Sequence, residues 1–177
     1  MNINSLHKIK EHHQQPYVLR MMTADDLQAV CLIEQATQAH PWTLSQFQSS
    51  LQSSHQCCVL TSTQTVNQAS NKTSNKMIVA YAITSTAADE AELLNITVAL
   101  DSQRQGLGQL LLEQICDSFD DTIHSLFLEV RASNQAAIAL YDKLYFNEVG
   151  LRANYYPSKK GRREDAIIMA KPLSVDT

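Results

Sequence analysis

A single α/β or α+β domain with a mixed sheet is predicted by three observations on this chain of 177 residues. Seven short runs carry the apolar alternation or clustering of strands, and four longer stretches repeat apolar residues at helical spacing. The second half reads strand, helix, strand, helix, strand, strand, an order that suits a sheet with helices on its faces. The length suits one domain able to bury most of its surface. Hydrophobic residues make up 44% and charged residues 18%, ordinary values for a globular chain.

Residues 1–16 are polar and unpatterned, which predicts a flexible extension whose His7, His12 and His13 belong to a tail rather than a metal site. Tyr17–Arg20 is a short strand. Thr23 and Asp26 form a capping-box pattern that opens a helix to Ala39, and His40-Pro41-Trp42 breaks it. Thr43 and Gln46 cap a second helix to about Gln52. Cys57–Thr63 is a strand, and residues 64–76 form a polar low-complexity loop. Met77–Ala87 and Ala91–Ala99 are strands parted by the acidic turn Asp89-Glu90. The next helix carries Leu107, Leu110, Leu111, Ile115 and Phe119 on one face. Leu126, Leu128 and Val130 are the buried side of a strand. Asn134–Leu144 is a helix, and Phe146–Asn154 and Ala166–Lys171 are the last strands. There is no internal repeat. The domain is expected over residues 17–173, with a tail at 174–177.

The net charge of −4 argues against a general nucleic-acid binder. Cys31, Cys57, Cys58 and Cys116 lack metal-site spacing and sit mostly in apolar segments, as buried free thiols do in a reducing compartment. The N-terminus has no apolar core of signal-peptide length, and no run approaches the ~18 apolar residues of a membrane span. A soluble, cytoplasmic, metal-free monomer is expected.

The turn Arg104-Gln105-Gly106-Leu107-Gly108 joins an apolar strand to an apolar helix. Its glycines permit a tight bend and clear space for a ligand. The helix behind presents unpaired N–H groups, and Arg104 adds a cation with a fork geometry suited to phosphate. The turn reads either as an anion site for a pyrophosphate or as an ordinary helix start. Glu129 lies on the face opposite Leu126, Leu128 and Val130, and is either solvated or held in a cleft as a base. Asn134 and Tyr141 are seven residues apart, on one helix face and about 10 Å apart along the axis. They either line a long thin ligand or serve as a cap and a packed tyrosine. No G-x-G-x-x-G, phosphate-binding loop or G-x-S-x-G motif is present.

The turn Arg104–Gly108, preceded by Asn95–Val98, resembles the acetyl-CoA motif of the GCN5-related N-acetyltransferases. Leu128–Asn134, Ala136–Tyr141, Asn154–Pro157, Arg163–Met169 and His40–Trp42 resemble one subgroup, the bacterial ribosomal-protein-alanine N-acetyltransferases. The resemblance spans about residues 17–173. It implies a mostly antiparallel sheet of about seven strands with a splayed central pair and about four helices. It further implies that Ile96, Thr97 and Val98 hold the pantetheine and thioester. Arg104, Gln105, Gly106, Leu107, Gly108 and Gln109 would hold the pyrophosphate, and Asn134 the pantetheine arm. Glu129 would be proton acceptor and Tyr141 proton donor, with acetyl-CoA and the N-terminus of a small-subunit ribosomal protein as substrates.

Trp42, Tyr155 and Tyr156 are either peptide-covering or core residues, and Glu92 is a further acceptor-site candidate. Tyr145 stands where the family usually has glycine, which predicts a strained left-handed residue or a different helix end. Two other readings stay open: an acetyltransferase for lysine side chains or another small amine, and a non-catalytic acetyl-CoA-binding module.

Overall fold

The computed structural model describes residues 17–65, 74–157, 161 and 163–173. The N-terminal extension with its histidines, most of the polar loop and the C-terminal tail lie outside the described residues. Seven strands and four α-helices follow in the order β1 (Tyr17–Met21), α1 (Leu27–Thr37), α2 (Leu44–Gln52), β2 (Gln56–Thr65), β3 (Ser74–Ala87), β4 (Glu90–Val98), α3 (Leu107–Cys116), β5 (Ser125–Arg131), α4 (Gln135–Lys143), β6 (Asn147–Pro157) and β7 (Arg163–Pro172). The strands form one mixed sheet in the order β1-β2-β3-β4-β5-β7-β6. Strand and helix numbers match the expectation. β2 and β3 both run into the segment read as loop.

Two compact units are present: one reaches to Ile83 and includes Asn95–Ser118, and the other is built from Thr84–Leu94 and Phe119 onward. In the first, β1 pairs antiparallel with β2 from Tyr17↔Ser62 to Met21↔Cys58. Its core includes Val30, Phe47, Leu60, Leu111, Leu112 and Ile115. The predicted capping box forms, but it opens a single 3-10 turn at Ala24–Asp26 before α1 begins. Thr23 donates from its backbone N–H to Asp26 Oδ2 at 2.8 Å, and Arg20 grips the same carboxylate at 2.7 Å from each of two nitrogens. That pairing holds the Asp26 carboxyl down at about 2. On α3 the buried positions are Leu107, Leu111, Leu112 and Ile115; Phe119 lies beyond the helix, and Leu110 is half-buried. Helix α3 stops short of the full length that face requires.

In the second unit, Leu126, Leu128 and Val130 alternate with half-buried neighbours along β5, as expected. β4 pairs parallel with β5 over Glu90↔Ser125 to Leu93↔Leu128, and β5 continues to Arg131. β7 pairs antiparallel with both β5 and β6, so it separates them. Tyr141, Leu144, Phe146, Ala166 and Met169 complete this core.

Cys31, Cys57 and Cys58 are buried as free thiols, and Cys116 is half-buried. Burial pushes the Cys57 thiol up to about 11 and the Cys58 thiol up to about 12, so both stay protonated and unreactive. Among the described residues, no helix is long and apolar enough to cross a membrane.

Candidate active site

The turn before α3 is built differently from the two-glycine reading. Gly106 is the N-cap of α3 and takes φ +80°, where a side chain is strained. Gly108 is already the second residue of the helix, and the other left-handed residue of the turn is Arg104 at φ +59°. Glycine at the N-cap brings no side-chain cap, so the first-turn N–H groups keep their outward donors at the positive end of the helix. Gln105 is tied back to the Asp101 carbonyl at 3.1 Å and Gln109 to Glu113 at 2.8 Å, while Arg104 is exposed. Such a helix start, with an exposed arginine two residues before its N-cap, could hold an anion. Upstream, Ile96 and Val98 are half-buried, and the Val98 carbonyl accepts from Gln103 Nε2 at 3.1 Å.

Thr97 faces inward, at 5% exposure, onto a carboxylate that sequence reasoning missed. Glu34 on α1 is 1% exposed and accepts four neutral donors. They are Trp42 N–H at 2.9 Å, the Tyr81 hydroxyl, Asn95 Nδ2 at 3.3 Å and Thr97 Oγ1 at 3.4 Å. Gln38 extends the network by donating to Thr97 at 3.1 Å. Burial beside this carboxylate pushes the Tyr81 phenol far up, so Tyr81 remains a donor. A signal existed: Glu34 falls on the stripe Leu27, Val30, Cys31 that α1 buries. Trp42 belongs to this cluster, its ring 5.5 Å from that of Phe47, which in turn meets Tyr81 edge-on. Trp42 is half-buried against the core, with part of its surface open to solvent.

In the second unit, Glu129 lies half-buried on the open side of β5 and lines a recess of about 260 Å³ with Glu90, Glu92, Phe127, Arg152 and Ile168. That volume is near the lower end for ligand pockets, room for the end of a chain rather than a folded partner. Glu92 is exposed there. Arg152 of β6, a residue with no sequence signal, pairs its Nε with Glu129 Oε1 at 2.8 Å. The register explains this pairing: Glu129 and Gly150 both oppose Ile168, so Arg152 sits two residues along from Glu129's row and reaches over β7. Two strand spacings are about 10 Å, which a long arginine side chain spans.

Asn134 is the N-cap of α4 and is exposed; its Oδ1 accepts from Ala137 N–H at 3.3 Å, a bond that does not use the amide NH₂. Tyr141, 6% exposed, packs its ring 5.6 Å from Phe146. Burial, and behind it the Tyr156 hydroxyl, push the Tyr141 phenol well above its ordinary value. Cap and packed tyrosine are thus both present in fact.

Helix α4 ends in a Schellman arrangement, with Tyr145 N–H bonded to the Asp142 carbonyl and Phe146 N–H to the Tyr141 carbonyl, both at 3.0 Å. Tyr145, a residue 79% exposed, holds the left-handed position at φ +65°, the strain expected of a non-glycine.

The Tyr155–Pro157 segment is tied down rather than loose. Arg163 donates to the Asn154 carbonyl at 2.6 Å and also to that of Tyr155, and Arg131 donates to the Pro157 carbonyl at 3.1 Å. Arg131 also stacks 4.3 Å over the Tyr156 ring. The Tyr156 hydroxyl reaches the Glu129 carbonyl at 3.5 Å, and Tyr155 is partly exposed beside Arg152.

Comparisons with known proteins place the family and the fold. The family model described as acetyltransferase (GNAT) family matches residues 23–146. A [ribosomal protein bS18]-alanine N-acetyltransferase of Escherichia coli (strain K12) is 46% identical over 151 residues, covering 85% of this chain and 93% of that protein. The crystal structure of the ribosomal-protein-S18-alanine N-acetyltransferase from Escherichia coli superposes with a TM-score of 0.75 at 42% identity. The match covers 92% of this chain and 97% of that one. Arabidopsis thaliana NAA60 in complex with acetyl-CoA shares the fold, with a TM-score of 0.75 at 14% identity over 89% of this chain and 99% of its own. With more than half its length matched by the family model and a relative at 46% identity over most of both chains, this chain belongs to the acetyltransferase (GNAT) family.

Proposed function

We propose that the chain is an N-alpha-acetyltransferase that moves the acetyl group of acetyl-CoA to the N-terminal alanine of a small-subunit ribosomal protein. The observation that carries this reading is the 46% identity, over 85% of the chain, to a protein named for that reaction. In this reading the Gly106 N-cap, the first N–H groups of α3 and Arg104 hold the coenzyme's pyrophosphate. Ile96, Thr97 and Val98 offer backbone groups to the pantetheine and thioester, and the Asn134 amide bonds the arm.

The acceptor amine needs little help to become a nucleophile. An α-amino group with a pKa near 7.7–8.0 is neutral in about a tenth of molecules at pH 7, against roughly four in ten thousand for a lysine near 10.4. Glu129 takes the proton, directly or through a water, as the nitrogen bonds to the thioester carbonyl carbon. A backbone N–H near Val98 supports the oxyanion. The carbon–sulfur bond then breaks, leaving an amide and the thiolate of coenzyme A. Burial keeps the Tyr141 phenol protonated, so it is a donor to that thiolate at any ordinary pH. Glu92, Tyr155 and Tyr156 line the way for the peptide. The enzyme works as a cytoplasmic monomer on a protein end, not on nucleic acid, in keeping with a net charge of −4.

The test is incubation with acetyl-CoA and peptides beginning with Ala, Ser or Met, plus one whose only amine is an internal lysine. Mass spectrometry should locate the acetyl group on the α-amine of the Ala peptide. Preference for the internal lysine defeats the acceptor assignment.

A further inference from the structure

We infer that Arg152 is the resting occupant of the acceptor site: its guanidinium holds the Glu129 oxygen that an incoming α-ammonium must take, and it gives way when the peptide enters. This rests on the proposed role of Glu129. Within the recess Glu129 keeps company with two further carboxylates, Glu90 and Glu92, and Arg152 is the cation among the lining residues. The surroundings therefore attract a positive group, and at rest the protein's own guanidinium supplies it at 2.8 Å.

Two observations make that guanidinium displaceable. Its side chain is 53% exposed, whereas that of Glu129 is 17% exposed, so the cation is the solvated, mobile partner of the pair. The same guanidinium already lies 5.2 Å from the centre of the Tyr155 ring, within cation–π range, so one partner remains to it when Glu129 is taken. Giving up Glu129 needs only side-chain rotation, since β6 is held in register with β7 at Arg152↔Ala166. A peptide amine thus exchanges one cation for another on the same carboxylate. The site never leaves Glu129 bare, and only a cationic chain end competes for it.

The experiment is titration calorimetry of a short peptide beginning with alanine, in the presence of coenzyme A. It compares the full chain with Arg152→Ala, Arg152→Lys, Glu129→Gln and the Glu129→Gln/Arg152→Ala double variant. Removing the competitor should tighten the peptide Kd about two- to fivefold, the range expected for a half-exposed ion pair. Lysine should keep the wild-type Kd. In the Glu129→Gln background, and with the Nα-acetylated peptide, Arg152→Ala should change nothing. A Kd that is unchanged or weaker in Arg152→Ala overturns the inference, as does the same gain in the Glu129→Gln background. Failure of the underlying reading is separate: full turnover by Glu129→Gln removes the base role whatever the calorimetry gives.

Discussion

Glu34 and Glu129 are both carboxylates withdrawn from bulk water, and they are treated in opposite ways. Glu34 is 1% exposed and is surrounded by four neutral donors: one backbone N–H, one amide and two hydroxyls. Glu129 keeps an opening to a recess and a single cation that is itself half in solvent. A carboxylate with every acceptor site filled is fixed in place, since moving it strands several buried donors at ~1–3 kcal/mol each. One held by a single displaceable partner can accept a proton from a newcomer. With Glu129 as the proposed base, the difference teaches that chemistry is sited where the protein leaves hydrogen-bonding capacity open, not where burial is deepest.

The largest effects should come from the open carboxylate and from Tyr141, the phenol proposed as proton donor. Glu129→Gln keeps the shape and removes the base, so turnover should fall ~10²–10⁴-fold, the usual contribution of general acid–base catalysis. Acetyl-CoA binding should be retained, as measured by calorimetry. Tyr141→Phe should also lower turnover with the coenzyme still bound. With wild-type protein, kcat/KM for the Ala peptide should climb about tenfold per pH unit below pH 7 as the amine loses its proton. Near-wild-type turnover in both variants breaks the contrast at its catalytic end.

Only half of this contrast is legible in the sequence. Period-two alternation of Leu126, Leu128 and Val130 places Glu129 on the other side of β5, and the structure keeps it there. The strand and helix frame is readable for the same reason: apolar spacing is a local property. Glu34 could be suspected from its place on the buried stripe of α1. Its partners Tyr81, Asn95 and Thr97, however, lie 47, 61 and 63 residues away, a distance no periodicity bridges. Arg152 is invisible because its pairing depends on β7 lying between β5 and β6, a matter of sheet order. The two-glycine reading of the turn misplaces its division of labour. Arg104 takes one left-handed position while Gly108 is helical, because a residue's φ is set by the turn it must close rather than by its identity alone.

At the filled carboxylate the expected cost is to stability. Glu34→Ala leaves the Trp42, Tyr81, Asn95 and Thr97 donors without their acceptor and should cost about 3–5 kcal/mol. For a chain of this size that lowers Tm by roughly 6–20 °C. Glu34→Gln should cost less, because the hydroxyls of Tyr81 and Thr97 can turn to accept from the new NH₂ group. Thermal melts and turnover at low temperature separate the two outcomes. A Glu34→Gln protein that melts like wild type yet loses turnover as severely as Glu129→Gln would move Glu34 into the chemistry.

Asp26 is the intermediate case, a cation-paired carboxylate that also caps a turn. Its carboxyl sits at about 2, below the ordinary 3.8, chiefly because Arg20 bonds to the ionised form. A depressed folded-state value means that the stabilisation is present above about pH 4 and fades as pH falls toward 2. Asp26→Asn should therefore cost about 1–2 kcal/mol at pH 7, and the gap to wild type should close as urea melts are repeated down to low pH. A gap that stays constant with pH would assign the effect to the cap geometry and not to the charge.

The smallest effect tests whether the end of α4 is separable from the chemistry proposed for Tyr141. The carbonyl of Tyr141 closes the Schellman turn, and the strained residue of that turn is Tyr145. A side chain in the left-handed region costs about 1–2 kcal/mol, which glycine avoids while adding freedom to the unfolded chain. The exposed Tyr145 ring has little packing to lose. Tyr145→Gly should therefore stabilise the protein by a net ~0.5–1 kcal/mol, raising Tm by roughly 1–4 °C. Because both turn hydrogen bonds come from backbone, they survive the change, and Tyr141 should keep its place against Phe146. Turnover equal to wild type with a higher Tm would show that this strain is a feature of the helix end alone. A loss of turnover would show instead that the left-handed tyrosine helps to set the Tyr141 hydroxyl.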